Sequence, residues 1–273
     1  MKSFHFKLFH SSFITLCLLA LNIAGCQNAK ENKDDNSMEN SVAASNGANA
    51  NAIILNDNNG DDYSPAIDSA NFVSTIDHPY LTLKPGRVWV YEGKNEDGEN
   101  ERVEIEVTQE TRAVMGVTTT VVRERNWKDG ELVEDTFDWF AQDNAGNVWY
   151  FGEDSKEIEK GQVVSAEGSW EAGVNGAKPG IIMKADPQVG DTYRQEFLKG
   201  EAEDMGQVFS KDDSVSIGLG SYQNCLRIKD WTPLEPNVVE HKFYSKETGN
   251  VILEKKVAGG SGQIELIEIK TAE

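Results

Sequence analysis

Three short stretches of this 273-residue chain carry groups able to do chemistry. In Glu167-Gly168-Ser169-Trp170-Glu171-Ala172-Gly173 an indole stands between two carboxylates, with glycines on either side. A stacking surface flanked by charge suits a ligand loop, and binding residues concentrate on such loops. Glu167 and Glu171 could equally serve as the paired acid and base of a polymer-cleaving hydrolase. Carboxylates cluster again at Glu153, Asp154, Glu157 and Glu159, and at Glu201, Glu203 and Asp204, where hard oxygen ligands could gather calcium. Neither cluster has a diagnostic spacing, and with 46 acidic residues against 26 basic ones such clusters arise from composition. Solvated surface is the simpler account of them, and core packing the simpler account of any one tryptophan.

Other reactive types are sparse. Beyond the N-terminal leader only His78 and His241 remain, fewer imidazoles than a zinc or copper site usually uses. His241 lies in a strand-like alternation with Val239 and Phe243 that suits a packed ring. Cys225, in NCLRIK, sits among apolar neighbours as a packed thiol does. There is no H-E-x-x-H, C-x-x-C or P-loop. Gly259-Gly260-Ser261-Gly262 meets Gln263 where a nucleophile elbow has glycine, and Gly218-Leu219-Gly220 meets Gln223 where a dinucleotide loop has its third glycine. The chain therefore reads as non-catalytic, with no catalytic, cofactor-binding or metal-ligating residue assigned. A formal charge of −20 also argues against nucleic acid, which needs a basic patch to displace counterions, and against unassisted docking on an anionic membrane.

The elements that must hold these groups read as strands. At 102–108 (RVEIEVT) apolar and polar residues alternate strictly, the period that sets one strand face on a core and the other in water. Segments 87–91, 117–125, 134–140, 148–151, 192–197, 226–231, 239–244, 251–257 and 264–269 are rich in β-branched or aromatic residues. In Val148-Trp149-Tyr150-Phe151 both faces are apolar, as in a strand covered on both sides. Turn signals such as Asp97-Gly98, Asp129-Gly130 and Lys160-Gly161 separate them, and gaps this short join antiparallel neighbours. The best helix candidate, 200–205, is short and flanked by glycine, and 174–182 reads as a long ordered loop. The expected fold is all-β, an antiparallel meander of ten or more strands curled into a barrel or half-barrel, with a β-sandwich as the alternative.

The N-terminus carries an address. Lys2 and Lys7 precede an apolar run at 11–23, shorter than the roughly 20 residues of a membrane-spanning helix, and the pattern is that of an export signal. Its end, Ile23-Ala24-Gly25-Cys26, resembles a bacterial lipobox. That resemblance implies a signal peptide at 1–25, diacylation of the Cys26 thiol by palmitate-type chains, and a lipid-anchored protein. Two or three chains anchor stably, since each buried CH₂ contributes about 0.8 kcal/mol. Gln27, in place of the aspartate that retains many lipoproteins at the inner membrane, favours the outer membrane, with the body facing the periplasm or the surface. Residues 26–70, with runs such as SNGANANA and NDNNGDD, read as a disordered tether spanning about 35 to 40 Å, and 71–273 as one domain. A calcium loop around Gly60 fails, because the alignment puts Leu55 first and Ala66 last. With Cys17 leaving in the signal and Cys26 acylated, Cys225 has no disulfide partner.

From 72 to 269 the chain resembles a family of secreted all-β bacterial proteins without established biochemistry. The resemblance rests on FVSTIDHPYLTLKPGRVWVYEG, DNAGNVWYFGEDSKEIEKGQVVSAEGSWEAGVNGAKPGIIM, ADPQVGDTYRQEF, KGEAEDM and WTPLEPNVVEHKFY. It implies export and fold, and no activity. A more distant architectural resemblance is to open β-barrel envelope proteins that handle lipids or lipoproteins, and fold does not imply function. The expected function is a membrane-anchored envelope lipoprotein whose body binds a small ligand or an envelope component. Trp170, Glu167 and Glu171 are its candidate ligand loop. The alternatives are a hydrolase of envelope polymers using loop carboxylates, and an acidic protein-interaction module that binds calcium.

Overall fold

The computed structural model describes residues 62–272. The export signal, Cys26 and the tether up to residue 61 lie outside the described residues.

A 3-10 turn, Ser69–Asn71, is capped by Asp68, whose carboxylate accepts from the Ala70 amide at 3.0 Å. Three short strands follow, β1 (Phe72–Val73), β2 (Ile76–His78) and β3 (Leu81–Leu83). Next come five long ones, β4 (Arg87–Lys94), β5 (Asn100–Val114), β6 (Val117–Lys128), β7 (Glu131–Asp143) and β8 (Val148–Glu159). The chain continues through β9 (Gln162–Ser165), β10 (Trp170–Glu171), β11 (Lys178–Met183), β12 (Thr192–Arg194) and β13 (Glu196–Phe197). It ends in β14 (Met205–Ile217), β15 (Gly220–Trp231), β16 (Val239–Ser245), β17 (Asn250–Ala258) and β18 (Gln263–Thr271). Tight hairpins join several of the long strands. Met115-Gly116, Asp129-Gly130 and Lys160-Gly161 each place two residues at positive φ, the turn geometry that matches the strands' right-handed twist.

All strand pairs are antiparallel, and the main sheet runs β12-β14-β15-β16-β17-β18-β4-β5-β6-β7-β8-β11-β13. The two ends of that path, β12 and β13, are separated along the chain by Gln195 alone. One strand thus pairs first with β14 (Arg194 opposite Met205) and then with β11 (Glu196 opposite Pro179), and the sheet closes nearly completely into a barrel. Closure leaves almost no unpaired edge, which resolves the choice between barrel and sandwich. β11 passes very close to this switch: a Cβ on Gly180 would lie 2.2 Å from the Gln195 carbonyl carbon.

The barrel has two different ends. The half containing Trp89, Tyr91, Ile105, Val107, Phe140, Tyr150, Leu226, Ile252 and Leu266 is an apolar core, each of these side chains at most 3% exposed. Burying one large apolar side chain is worth about 1.5 to 3 kcal/mol. The β2–β3 hairpin plugs this end. Its amides at Asp77 and His78 donate to Gln142 Oε1 at 3.0 and 3.1 Å, and the Thr82 amide donates to the Gly249 carbonyl at 2.8 Å. Phe72 covers the outer face of β8, edge-on to Trp149 and Phe151, so both faces of that strand are indeed buried.

Several expectations are corrected. Segment 174–182, read as a loop, overlaps β11, recruited as a strand by pairing with the apolar β8. The helix candidate at 200–205 is a turn closed by a Leu198–Ala202 bridge. β14 is a long strand in a polar segment for which the sequence carried no expectation. Residues 62–70, counted with the tether, lie on the barrel at Tyr63, which is buried and donates to the Pro179 carbonyl at 2.8 Å.

Candidate functional site

In strands of period 2, alternate side chains enter the barrel, and several of those inward positions are acidic. On β5 the inward parity is Glu101, Val103, Ile105 and Val107. Register carries it across β6 and β7: Ile105 faces Glu124, which faces Thr136, while Val122 faces Asp138, which faces Glu153 on β8 and then Trp170 on β10. On the opposite wall Asp230, Glu240 and Lys256 form one row, and Ile228, Lys242, Glu254 and Ile264 the next. Gly93 lies between Ile264 and Glu101 and puts no side chain there. Among the described residues ten acidic side chains are buried against two basic ones, Arg194 and Lys242. That imbalance in a low-dielectric interior forces carboxyls to hold protons or to recruit a cation.

Partial pairing is visible. Glu134 Oε1 accepts from Thr136 Oγ1 and Ser155 Oγ, each at 3.1 Å. Asp138 Oδ1 accepts from the Tyr150 hydroxyl at 2.8 Å, while its Oδ2 is buried without a donor. Burial pushes Asp138 up to about 7, with Glu134 adding to the shift and Tyr150 opposing it. Glu196, fully buried, is held well above the usual carboxylate range by burial and then by Asp204, while the nearby Trp170 N–H opposes the shift. Trp170 itself stands edge-on to Tyr150, ring centroids 5.2 Å apart. On the far wall Lys242 Nζ lies 3.1 Å from Asp230 Oδ2, and Gln195 Nε2 donates to Asp230 Oδ1 at 3.0 Å. Burial works against the Lys242 charge, but Asp230, Glu254 and Glu240 around it hold its pKa well above the ordinary lysine value.

The polar end of the barrel opens into a small cleft of about 40 Å³, continuous with solvent, where the β4–β5 and β17–β18 connections meet. Its lining includes Glu96, Asp97, Glu101, Lys128, Glu240 and Glu254. Glu101 accepts from Asn126 Nδ2 at 3.1 Å, and burial raises its pKa. Burial likewise raises Glu240 and carries Glu254 well above the ordinary range.

The residues expected to form a ligand loop are not brought together. Trp170 and Glu171 are successive residues of β10 and so point to opposite sides of the sheet. The indole is 5% exposed inside the barrel, whereas Glu171 lies outside, paired with Arg112 at 2.5 Å. Arg112 in turn stacks 4.0 Å over Trp139. Glu167 sits exposed in the preceding turn, its amide donating to Ser165 Oγ. The acidic clusters divide in the same way: Glu153 is buried, while Asp154 faces out to Lys156 at 2.9 Å. Among the described residues no group of three His, Cys, Asp or Glu side chains is arranged to hold a metal ion. His78 is buried in the plug, its Nδ1 accepting from the Tyr80 amide at 3.2 Å, and burial lowers its pKa. His241 packs on the outer wall 5.1 Å from Phe209, and Cys225 is fully buried.

Sequence reasoning passed over Glu101, Asp138, Glu196, Glu240 and Glu254. A signal was present, since Glu101 shares the parity of Val103, Ile105 and Val107, Asp138 that of Phe140, and Glu254 that of Ile252. An acid on the apolar parity of a strand is the mark of a polar barrel interior.

No family model and no curated protein matches the chain. Two solved structures align with it. One, described as an exported protein with a YmcC-like fold from Bacteroides fragilis, is 13% identical over 70% of this chain and 99% of that one, with a TM-score of 0.42. The other, described as a lipoprotein from Parabacteroides distasonis, is 11% identical over 70% and 98%, with a TM-score of 0.38.

Proposed function

We propose that this chain is a cell-envelope lipoprotein, anchored through acylated Cys26 at the outer membrane, whose barrel is a non-catalytic binding module for a small ligand or envelope component. The anchoring half rests on the export signal and on Ile23-Ala24-Gly25-Cys26. The binding half is carried by one observation, the asymmetry of the barrel: a hairpin plugs the apolar end, and a small solvent-continuous cleft of about 40 Å³, lined by acids, opens at the polar end. A cleft at one open end suits capture and release of a small group better than a barrel sealed at both ends does. Buried Trp170 and the outward pair Glu171–Arg112 give little support to a binding or hydrolytic loop there.

Two measurements test the two halves separately. Metabolic labelling with palmitate should mark the wild type and leave Cys26→Ala unlabelled and released from membranes; label retained by C26A would overturn the anchor. Gentle native mass spectrometry of the full mature chain should reveal a co-purifying small molecule, or one taken up from an envelope extract. A bare mass under both conditions would overturn the binding module.

A further inference from the structure

The cleft at the open mouth is not electrically neutral at its floor. Glu101 and Glu254 are 4% and 3% exposed, and they face the same end of the barrel from walls separated only by Ile264 and Gly93. Glu240, half-buried beside them, lines the same cleft and adds its charge to the carboxyls facing Glu254. The other oxygen of Glu254, Oε2, is buried and accepts from no donor. A buried acceptor left without a donor is destabilising, so a cation or donor entering the cleft has a ready-made partner.

The groups facing Glu254 come from every neighbouring strand. Glu240 and Lys242 lie on β16, Asp230 on β15, Glu101 on β5 and Lys256 on its own β17. Lys242 is committed to Asp230, Lys256 lies 3.4 Å from Glu96 at the rim and also faces Glu101 and Glu240, and Lys128 on β6 faces Glu101. The lysine held by Asp230, Glu240 and Glu254 shows that this floor accommodates one ammonium already, and the carboxyls outnumber the cations that reach them.

Building on the binding-module reading, we propose that the cleft binds the protonated amino end of a small organic molecule, seated on Glu254 and Glu101 in exchange for a proton. In that exchange the ammonium keeps its three hydrogens and donates to Glu254 Oε2, the proton that burial holds on the Glu254 carboxyl leaves to solvent as its O–H bond breaks, and no other covalent bond changes. A point-like ammonium fits this floor better than a metal ion, because the oxygens present do not converge as a multidentate shell. Burial raises the affinity of these carboxyls for protons, so protons compete with the amine and binding weakens as pH falls.

Calorimetry on the detergent-solubilised mature protein tests this with n-butylamine and ethylamine as ammonium probes and n-butanol as the neutral counterpart. Both ammonium probes should bind saturably at pH 8 with release of a proton, read from the dependence of the heat on buffer ionisation. Butanol should not bind, and affinity should fall about tenfold or more between pH 8 and pH 5. Glu254→Gln should weaken the amine by about tenfold or more, as losing one partner of a buried charge contact does. Glu101→Gln is a second variant should E254Q fail to fold, and the exposed Glu167→Gln should bind as wild type does. No amine binding, binding without proton release, or equal affinity in both Gln variants would overturn the ammonium site. If butanol or another neutral molecule binds in the cleft instead, the ammonium proposal falls while the binding module stands. If nothing binds and the native mass is bare, both fall.

Discussion

Asp138 shows how much one inward acid can govern. Its carboxyl has a single hydrogen-bond donor, Tyr150, and burial pushes its pKa up to about 7 from an ordinary 3.8. The folded protein thus holds a proton that the unfolded chain releases. The associated stability is complete below about pH 4 and is lost as pH rises through about 7. Asp138→Asn keeps an acceptor for the Tyr150 hydroxyl and removes the ionisation. Its denaturation midpoint should exceed that of the wild type at pH 8 and converge with it near pH 4; a midpoint below wild type at pH 8 would mean the charge is stabilised in place. Lys242 predicts the opposite behaviour. Lys242→Met strips Asp230 and Glu254 of their buried counter-ion and should cost about 3 to 5 kcal/mol at pH 8, and less at pH 5, where protons replace it. Chemical denaturation at the two pH values measures both.

At the scale of elements, the barrel depends on one strand that changes partners. Residues 192–197 pair with β14 on one side of Gln195 and with β11 on the other, and Gly180 lets β11 approach closely enough for the second pairing. Gly180→Ala would set a methyl 2.2 Å from the Gln195 carbonyl carbon and 2.6 Å from the Glu196 amide nitrogen, where backbone cannot yield cheaply. A loss of about 1 to 3 kcal/mol or more is expected, as for other overpacked sites. Gly161→Ala, in a turn at φ 75° with open space around it, should cost only about 1 kcal/mol. Equal losses in denaturant titrations would remove the closure from the account. The long strands β4 to β8 were legible because inward and outward residues alternate along them. β11 was not, because Pro179 and Gly180 read as loop residues until the edge of β8 supplies the pairing. β14 was not either, because much of its length is polar and only its neighbours β12 and β15 make it a strand.

At the scale of the whole molecule, cohesion comes from the plugged apolar half, with no covalent staple among the described residues. Cys225 is the one cysteine there, reduced and fully buried, with its thiol pKa raised by burial. Its reaction with a thiol reagent should therefore wait for opening of the barrel. Peptide mapping of the labelled protein should show the rate at Cys225 rising with denaturant in parallel with global unfolding. Fast labelling of the native state would show that the β14–β15 wall opens locally. Reductant should leave the thermal midpoint unchanged.

Composition and period were enough to determine an acidic, all-β body of antiparallel strands with Cys225 packed inside, because alternation and turn chemistry are local properties of the chain. The motif Ile23-Ala24-Gly25-Cys26 is local in the same sense, and it sets the expectation of a lipid anchor. Only the tertiary structure decided that the sheet closes at Gln195, that residues 76–83 plug one end, and that Trp170 turns inward while Glu171 turns out. It also decided which acids matter. Glu101, Asp138, Glu196, Glu240 and Glu254 are scattered over about 150 residues of sequence, and an acid's environment is set by what the facing strands bring to it. Register, a long-range property, converts ordinary surface-type residues into the floor of a cleft.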